Sequence, residues 1–257
     1  MSKVSQAFEN GKAFIAFITG GDSNLETTQK LILEIQRSGA DLLIVGIPFS
    51  DPIAEGSVIQ AADLRALNAG CTTDKLFVAI KNIKEQVNIP LVFMTYANVI
   101  YRYGTKKFME RCVECAISGV IVPDCPYEEK DEFAPFCDES GIDLITLIAP
   151  AADKRITEIA GAAQGFVYIL SSCDMTKIRS DITKDLKKIT ELVKETSDIP
   201  CVVGVENDTY KQIADICKYA DGVVVGSSIV KIVEEHGKNC IPYVGEYVRK
   251  MKEIIRL

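Results

Sequence analysis

Short runs of apolar, mostly β-branched residues recur along the chain at Ala13–Thr19, Leu42–Ile47, Leu91–Tyr96, Gly119–Val122, Leu144–Ile148, Phe166–Leu170, Cys201–Gly204 and Gly222–Val225, which makes eight candidate strands. Most of the gaps between them carry apolar residues every three or four positions, as in Leu31-Ile32-Leu33-Glu34-Ile35 and Ile182 to Val193, the period of an amphipathic helix. Alternation of strand and helix requires parallel pairing through right-handed crossovers. The strands are apolar throughout, as expected when both faces are covered. Eight such units close into an α/β fold, a (β/α)8 TIM barrel, with extra N-terminal and C-terminal helices, the latter over Tyr243–Arg256. No Gly/Ser/Pro-rich linker divides residues 1–257, so one barrel domain is expected. An open dinucleotide-binding sheet would want GxGxxG after an early strand; Thr19-Gly20-Gly21-Asp22-Ser23 does not supply it.

Composition narrows the class. With 47% hydrophobic and 25% charged residues in even distribution, the chain reads as globular and not as disordered. No stretch reaches the roughly 18–20 apolar residues of a membrane span, and Met1 to Phe8 lacks a signal peptide's apolar core; a cytoplasmic location is expected, with no membrane contact. A net charge of −7, with Lys187, Lys188 and Lys194 interleaved among Asp185, Glu191 and Glu195, argues against a nucleic-acid surface. The nine cysteines are scattered; Cys112 and Cys115 form a CxxC inside a helical pattern with no strand immediately before it, which favours packing over redox or metal chemistry. His236 is the single histidine, so no histidine triad and no metal site are expected.

Side chains at the strands' carboxyl ends are those a barrel uses for ligands. The second strand runs into Gly46-Ile47-Pro48-Phe49-Ser50-Asp51-Pro52-Ile53-Ala54-Glu55-Gly56, a proline-stiffened polar loop that restarts as a helix. The fourth ends in Val122-Pro123-Asp124-Cys125-Pro126-Tyr127-Glu128-Glu129 and the eighth in Val225-Gly226-Ser227-Ser228-Ile229-Val230-Lys231.

With these motifs in order at matching strand ends, the sequence resembles the tryptophan synthase α subunit family from end to end. The resemblance implies a cofactor-free barrel that cleaves indole-3-glycerol phosphate to indole and glyceraldehyde 3-phosphate by a retro-aldol reaction, docked on a β subunit that itself uses pyridoxal phosphate. Such a cleavage needs a proton for the indole ring carbon, a base for the glycerol hydroxyl and support at the indole nitrogen. The family's glutamate acid/base falls at Ile44, which cannot titrate, and its aspartate for the indole N–H falls at Glu55, one methylene longer. Asp41, three residues before Ile44, points to the other face about 10 Å down the strand and cannot substitute. By the same resemblance, Phe17, Tyr96, Tyr168, Thr176, Gly204, Gly226 and Ser227 are expected to contact substrate, and Asp51, Pro52 and Asn98 to face the β subunit.

Other departures fall at the same rim. The family's Gly-Phe-Gly phosphate turn reads Gly204-Val205-Glu206 here, which sets a carboxylate where a phosphate should come, a repulsion on the order of a few kcal/mol in a partly dry pocket. Its glycine-flanked closing loop reads Ser171 to Arg179, keeping Thr176 and losing the glycines; Lys177 and Arg179 there are either cations for an anionic ligand or solvated charges. Gly226 and Ser227, at a helix start, keep the other half of the cradle. Cleavage is therefore expected to be impaired or altered. The alternatives are a non-catalytic, β-subunit-binding regulatory barrel and a barrel enzyme with a changed substrate.

Overall fold

The computed structural model describes residues 3–170, 182–205 and 210–256. Eight parallel strands close in chain order into a barrel: β1 (Ala13–Thr19), β2 (Leu42–Gly46), β3 (Leu91–Met94), β4 (Ile117–Ile121), β5 (Asp143–Ile148), β6 (Gln164–Ile169), β7 (Cys201–Val205) and β8 (Gly222–Val225). β8 returns to β1 with Ala13 opposite Gly222 and Ala16 opposite Val225. Around them run α1 (Leu25–Arg37), α2 (Ser57–Asn68), α3 (Thr73–Ile83), α4 (Ala97–Tyr103), α5 (Thr105–Glu114), α6 (Ala134–Ser140), α7 (Asp153–Gly161), α8 (Ile182–Thr196), α9 (Tyr210–Ile216), α10 (Ser227–His236) and α11 (Ile241–Arg256). The long excursion after the second strand is two helices, α2 and α3, and another pair, α4 and α5, follows the third, joined at Gly104 (φ 90°).

Burial explains why the strands read as apolar without alternation. Every residue of β1, β2, β4, β7 and β8 is buried, and the core divides in two. Phe14, Ala16, Ile18, Leu43, Val45 and Phe93 face outward to the helical coat. Ile15, Phe17, Leu42, Ile44, Val92 and Val224 fill the barrel. Alternate residues of each strand thus serve opposite cores, as the pleat requires.

The two ends of the described chain secure the barrel's base. The N-terminal extra element is a five-residue 3₁₀ helix, Val4–Phe8. Its Val4 and Ala7 join the interior core, and the Phe8 ring lies 5.9 Å from that of Phe166. α11 packs on α1 and β1, and Lys252 donates to Asp41, which also accepts the Phe14 N–H at 2.7 Å. Asp41 thus faces the coat at the base, far from the rim. Asn24 and Thr72 cap α1 and α3 by accepting the N–H groups of Thr27 and Lys75.

Strand limits depart from the sequence reading most at the starts of β4 and β6. β4 and β6 each begin two residues before their apolar runs. Gly165 takes φ 66° at an irregularity in the β5–β6 register, a conformation that glycine adopts without strain. Cys112 and Cys115 are buried at the end of α5, where the Cys115 thiol donates to the Phe77 carbonyl at 3.2 Å and burial pushes both thiols up. They pack. No helix among the described residues is long and apolar enough to cross a membrane.

Candidate functional site

At the carboxyl end of β2, glycine allows a close crossing: a Cβ on Gly46 would stand 2.8 Å from Phe17 Cζ. Two residues earlier, Ile44 is opposite both Phe17 and Val92 in the sheet register and is fully buried in the interior core. No group capable of proton transfer stands at this position.

Beyond Gly46 the loop is held by the neighbouring strand. Phe49 stacks on Tyr96 with ring centroids 5.1 Å apart, and the Tyr96 hydroxyl accepts the Ala54 N–H at 3.0 Å. Tyr96 is buried and supports the loop from beneath; it does not line the cavity described next. The Glu55 N–H bonds to the Pro52 carbonyl at 3.2 Å, and the Gln60 side chain donates to the Glu55 carbonyl at 2.8 Å. This turn aims the Glu55 side chain inward.

A cavity of about 110 Å³ opens at the carboxyl rim, lined by Phe17, Glu55, Tyr168, Gly204, Gly226 and Ser227 together with Ala54, Gly56, Ile59, Met94, Leu170, Val205 and Val224. Six of the residues expected to bind or act on substrate therefore meet in one place. Two of the glycines answer to rings: a Cβ on Gly204 would approach Tyr168 Oη to 2.9 Å, and one on Gly226 would lie 3.2 Å from the Phe17 ring. Gly226 precedes α10, so the helix N-terminus opens on the cavity with its unpaired amides and positive dipole end. Thr176, Lys177, Arg179 and Glu206 lie outside the described residues.

Glu55 is the cavity's only acidic side chain among the described residues. Among the described residues its Oε2 is shielded from solvent and meets no hydrogen-bond partner. Burial, followed by repulsion from Asp63, raises its carboxyl to about 8. Asp63, on α2, rises to about 7, driven by burial and opposed by the Phe49 N–H that it accepts at 3.4 Å. The nearby guanidinium of Arg65 is committed elsewhere, to both oxygens of buried Asp22 at 2.9 Å and to Glu234 at 2.8 Å. Burial, then the Glu55 charge, also raises the Tyr96 phenol. The cavity thus offers one carboxyl that holds its proton more tightly than a solvated carboxylate, set among apolar and aromatic walls.

Asp63 was not among the candidates read from sequence, although a signal existed. Ile59, Ala62, Asp63 and Ala66 form the buried stripe of α2, and a carboxylate within an i, i+3, i+4, i+7 stripe calls for an explanation. The expected partner-facing residues stand apart from the cavity: Asp51 and Asn98 are exposed and Pro52 is half-buried. Beside them Ile53 is 82% exposed.

Fold and rim together define a (β/α)8 barrel protein with a small apolar cavity and a helix N-terminus at its carboxyl end. The chain belongs to the tryptophan synthase alpha chain family, whose profile matches residues 4–256. It is 37% identical to the tryptophan synthase alpha chain of Lacticaseibacillus casei over 252 residues, 98% of this chain and 95% of that one. With the Petrotoga mobilis alpha chain it shares 42% over 237 residues, 92% of each. Among solved structures, tryptophan synthase subunit alpha from Legionella pneumophila superposes with a TM-score of 0.88 at 30% identity, covering 100% of this chain and 99% of that chain. The family reaction is the cleavage of indole-3-glycerol phosphate in tryptophan biosynthesis, and the family works with a β-subunit partner.

Proposed function

We propose that the rim cavity is the substrate site of this chain, that it binds indole-3-glycerol phosphate, and that it cleaves the compound far more slowly than a site with two carboxyls would. In the reaction the bond from the indole ring carbon to the adjacent glycerol carbon breaks. The hydroxyl on that glycerol carbon gives up its proton as the aldehyde forms, and the ring carbon gains one. The observation that carries the reading is that Glu55 is the cavity's sole acidic side chain among the described residues while Ile44 is sealed in the apolar interior. Glu55 can hold the indole N–H or serve as the proton donor, but one group has to do both. Phe17 and Tyr168 supply the aromatic walls, and the N-terminus of α10 at Gly226 and Ser227 receives the phosphate.

Loss of a positioned acid/base lowers rates by roughly 10²–10⁴-fold. The test is indole release from indole-3-glycerol phosphate by the purified protein, set beside calorimetric binding of the same compound. Binding in the micromolar to millimolar range with cleavage depressed is the expected result, and Ile44→Glu should raise turnover by at least tenfold. Cleavage at an ordinary family rate by the unaltered chain would overturn the reading.

Partner docking forms the second part of the proposal. Asp51, Pro52 and exposed Ile53 of the β2–α2 loop, and exposed Asn98 at the start of α4, offer polar and apolar groups suited to contact with a tryptophan synthase β chain. Ile53 is the most exposed large hydrophobic side chain among the described residues, at 82%.

A further inference from the structure

We propose that Arg65 and Glu234 are positioning residues for the rim cavity: their hydrogen-bonded ion pair fixes how α2 and α10 stand to each other, and so the distance from Glu55, just ahead of one helix, to the Gly226 and Ser227 amides at the head of the other. The benefit to a ligand rests on the reading of the cavity as the substrate site; the spacing that the pair holds is a property of the free protein.

One guanidinium reaches three of the elements that wall the cavity. Phe17 belongs to β1, Glu55, Gly56 and Ile59 to the entry and first turn of α2, and Gly226 and Ser227 to the start of α10. Asp22 lies in the loop directly after β1, Arg65 is on α2 and Glu234 on α10. Arg65 donates from Nε to Asp22 Oδ1 and from Nη2 to Asp22 Oδ2, both at 2.9 Å, and from Nη1 to Glu234 Oε1 at 2.8 Å. Asp22 is itself fixed: it is buried and accepts the Ser23 N–H at 2.9 Å. The planar guanidinium is therefore held in place before Glu234 meets it, and joining α10 to the other two elements orders one more side chain.

The two helices also meet nearer the cavity. α2 and α10 pack on each other and on β1, and Ile59, Ala62 and Val230 join Phe17 in the interior core. Apolar packing is non-directional, and alone it lets one helix turn against the other. Arg65 is eight residues past Ser57 and Glu234 seven past Ser227, about 12 and 10.5 Å along their helices. The ion pair is thus a second contact, well behind the first, and two contacts fix an angle that one leaves free. Stability gains little from a pair whose Glu234 side chain is half exposed, so its consequence is geometric. A ligand bonded to Glu55 at one end and to the α10 amides at the other gains from both only if their spacing matches its length.

The experiment compares the full chain with Glu234→Ala, which removes the bond, and with Glu234→Gln, which keeps an oxygen for Arg65 Nη1 and drops the charge. Titration calorimetry follows three probes: indole-3-glycerol phosphate, which reaches both ends of the cavity, and indole and glycerol 3-phosphate, which reach one end each. In Glu234→Ala we expect indole-3-glycerol phosphate to bind roughly tenfold more weakly, while indole and glycerol 3-phosphate each stay within about twofold of the unaltered chain. The melting temperature should stay within about 4 °C. Glu234→Gln should recover most of the lost affinity. Crystal structures of the ligand-free chain and of Glu234→Ala should differ by about 1 Å in the Cα separation of Glu55 and Ser227. Unchanged affinity for indole-3-glycerol phosphate in Glu234→Ala, equal losses for all three probes, or equal losses in the two variants overturns the proposal. If the unaltered chain binds no indole-3-glycerol phosphate, the substrate reading fails and the ligand-free spacing decides: an unchanged separation overturns the brace, and a shifted one supports it.

Discussion

Gly204 lies beneath the ring of Tyr168, so closely that a Cβ there would stand 2.8 Å from Cε2. Gly204→Ala must displace the ring into the cavity or push β7 outward. We expect a loss of about 1–3 kcal/mol in urea unfolding and weaker binding of indole-3-glycerol phosphate. Gly161→Ala is the control: its Cβ would meet Thr196 at an ordinary 3.7 Å at the end of α7, and stability should hold or rise slightly.

The raised carboxyls set a direction for the pH dependence of stability. Glu55 and Asp63 bind protons more tightly folded than unfolded, with midpoints of about 8 and 7. Their contribution is complete below the unfolded carboxylate values near pH 4 and is lost as pH rises through the folded ones. Stability should therefore fall from pH 5 to 8, and Glu55→Gln should flatten that fall by on the order of 2–4 kcal/mol. Denaturant midpoints at four pH values check this. A curve of equal slope in the variant would rule the account out.

Arg65 joins three elements: α2, the β1–α1 loop through Asp22, and α10 through Glu234. Asp22 is buried, and its bidentate pairing needs the planar fork of arginine. Arg65→Lys is expected to cost about 1–3 kcal/mol, and Arg65→Ala about 3–5 kcal/mol because it strands a buried charge. Calorimetric melting of the two variants checks the order.

Ile53 should matter to a partner and not to the fold. Ile53→Asp is expected to leave thermal unfolding within about 0.5 kcal/mol of the parent while weakening binding to a tryptophan synthase β chain at least tenfold. Co-sedimentation or interferometry with that β chain provides the measurement. Equal binding by the variant would place docking elsewhere on the rim.

The barrel was legible because each strand is covered on both sides, and the apolar runs at β1 and β8 match the observed strands end for end. Gly165 and Ser118 hid the starts of β6 and β4, since a left-handed glycine and a buried serine both read locally as loop. At the rim, the GIPFSDP-type loop located Glu55, and the absent acid at Ile44 was visible directly. The upward pull on the Glu55 carboxyl was not, because it depends on burial first and on Asp63 second, and Asp63 takes its place on the inner stripe of α2 only once that helix is docked. Tyr96, which the family resemblance marked for substrate contact, has a hydroxyl that accepts the Ala54 N–H, a contact visible only once the β2–α2 loop is folded over β3.

The 3₁₀ turn at Val4–Phe8 stops the barrel from below, with Phe8 against Phe166 and Val4 in the interior. Among the described residues, the cavity therefore has no opening through the barrel's base. Whatever is freed inside it has to depart by the mouth through which it came, past Glu55 and the loop that carries Asp51 and Ile53. A protein seated on that loop would control the traffic in both directions without touching the chemistry.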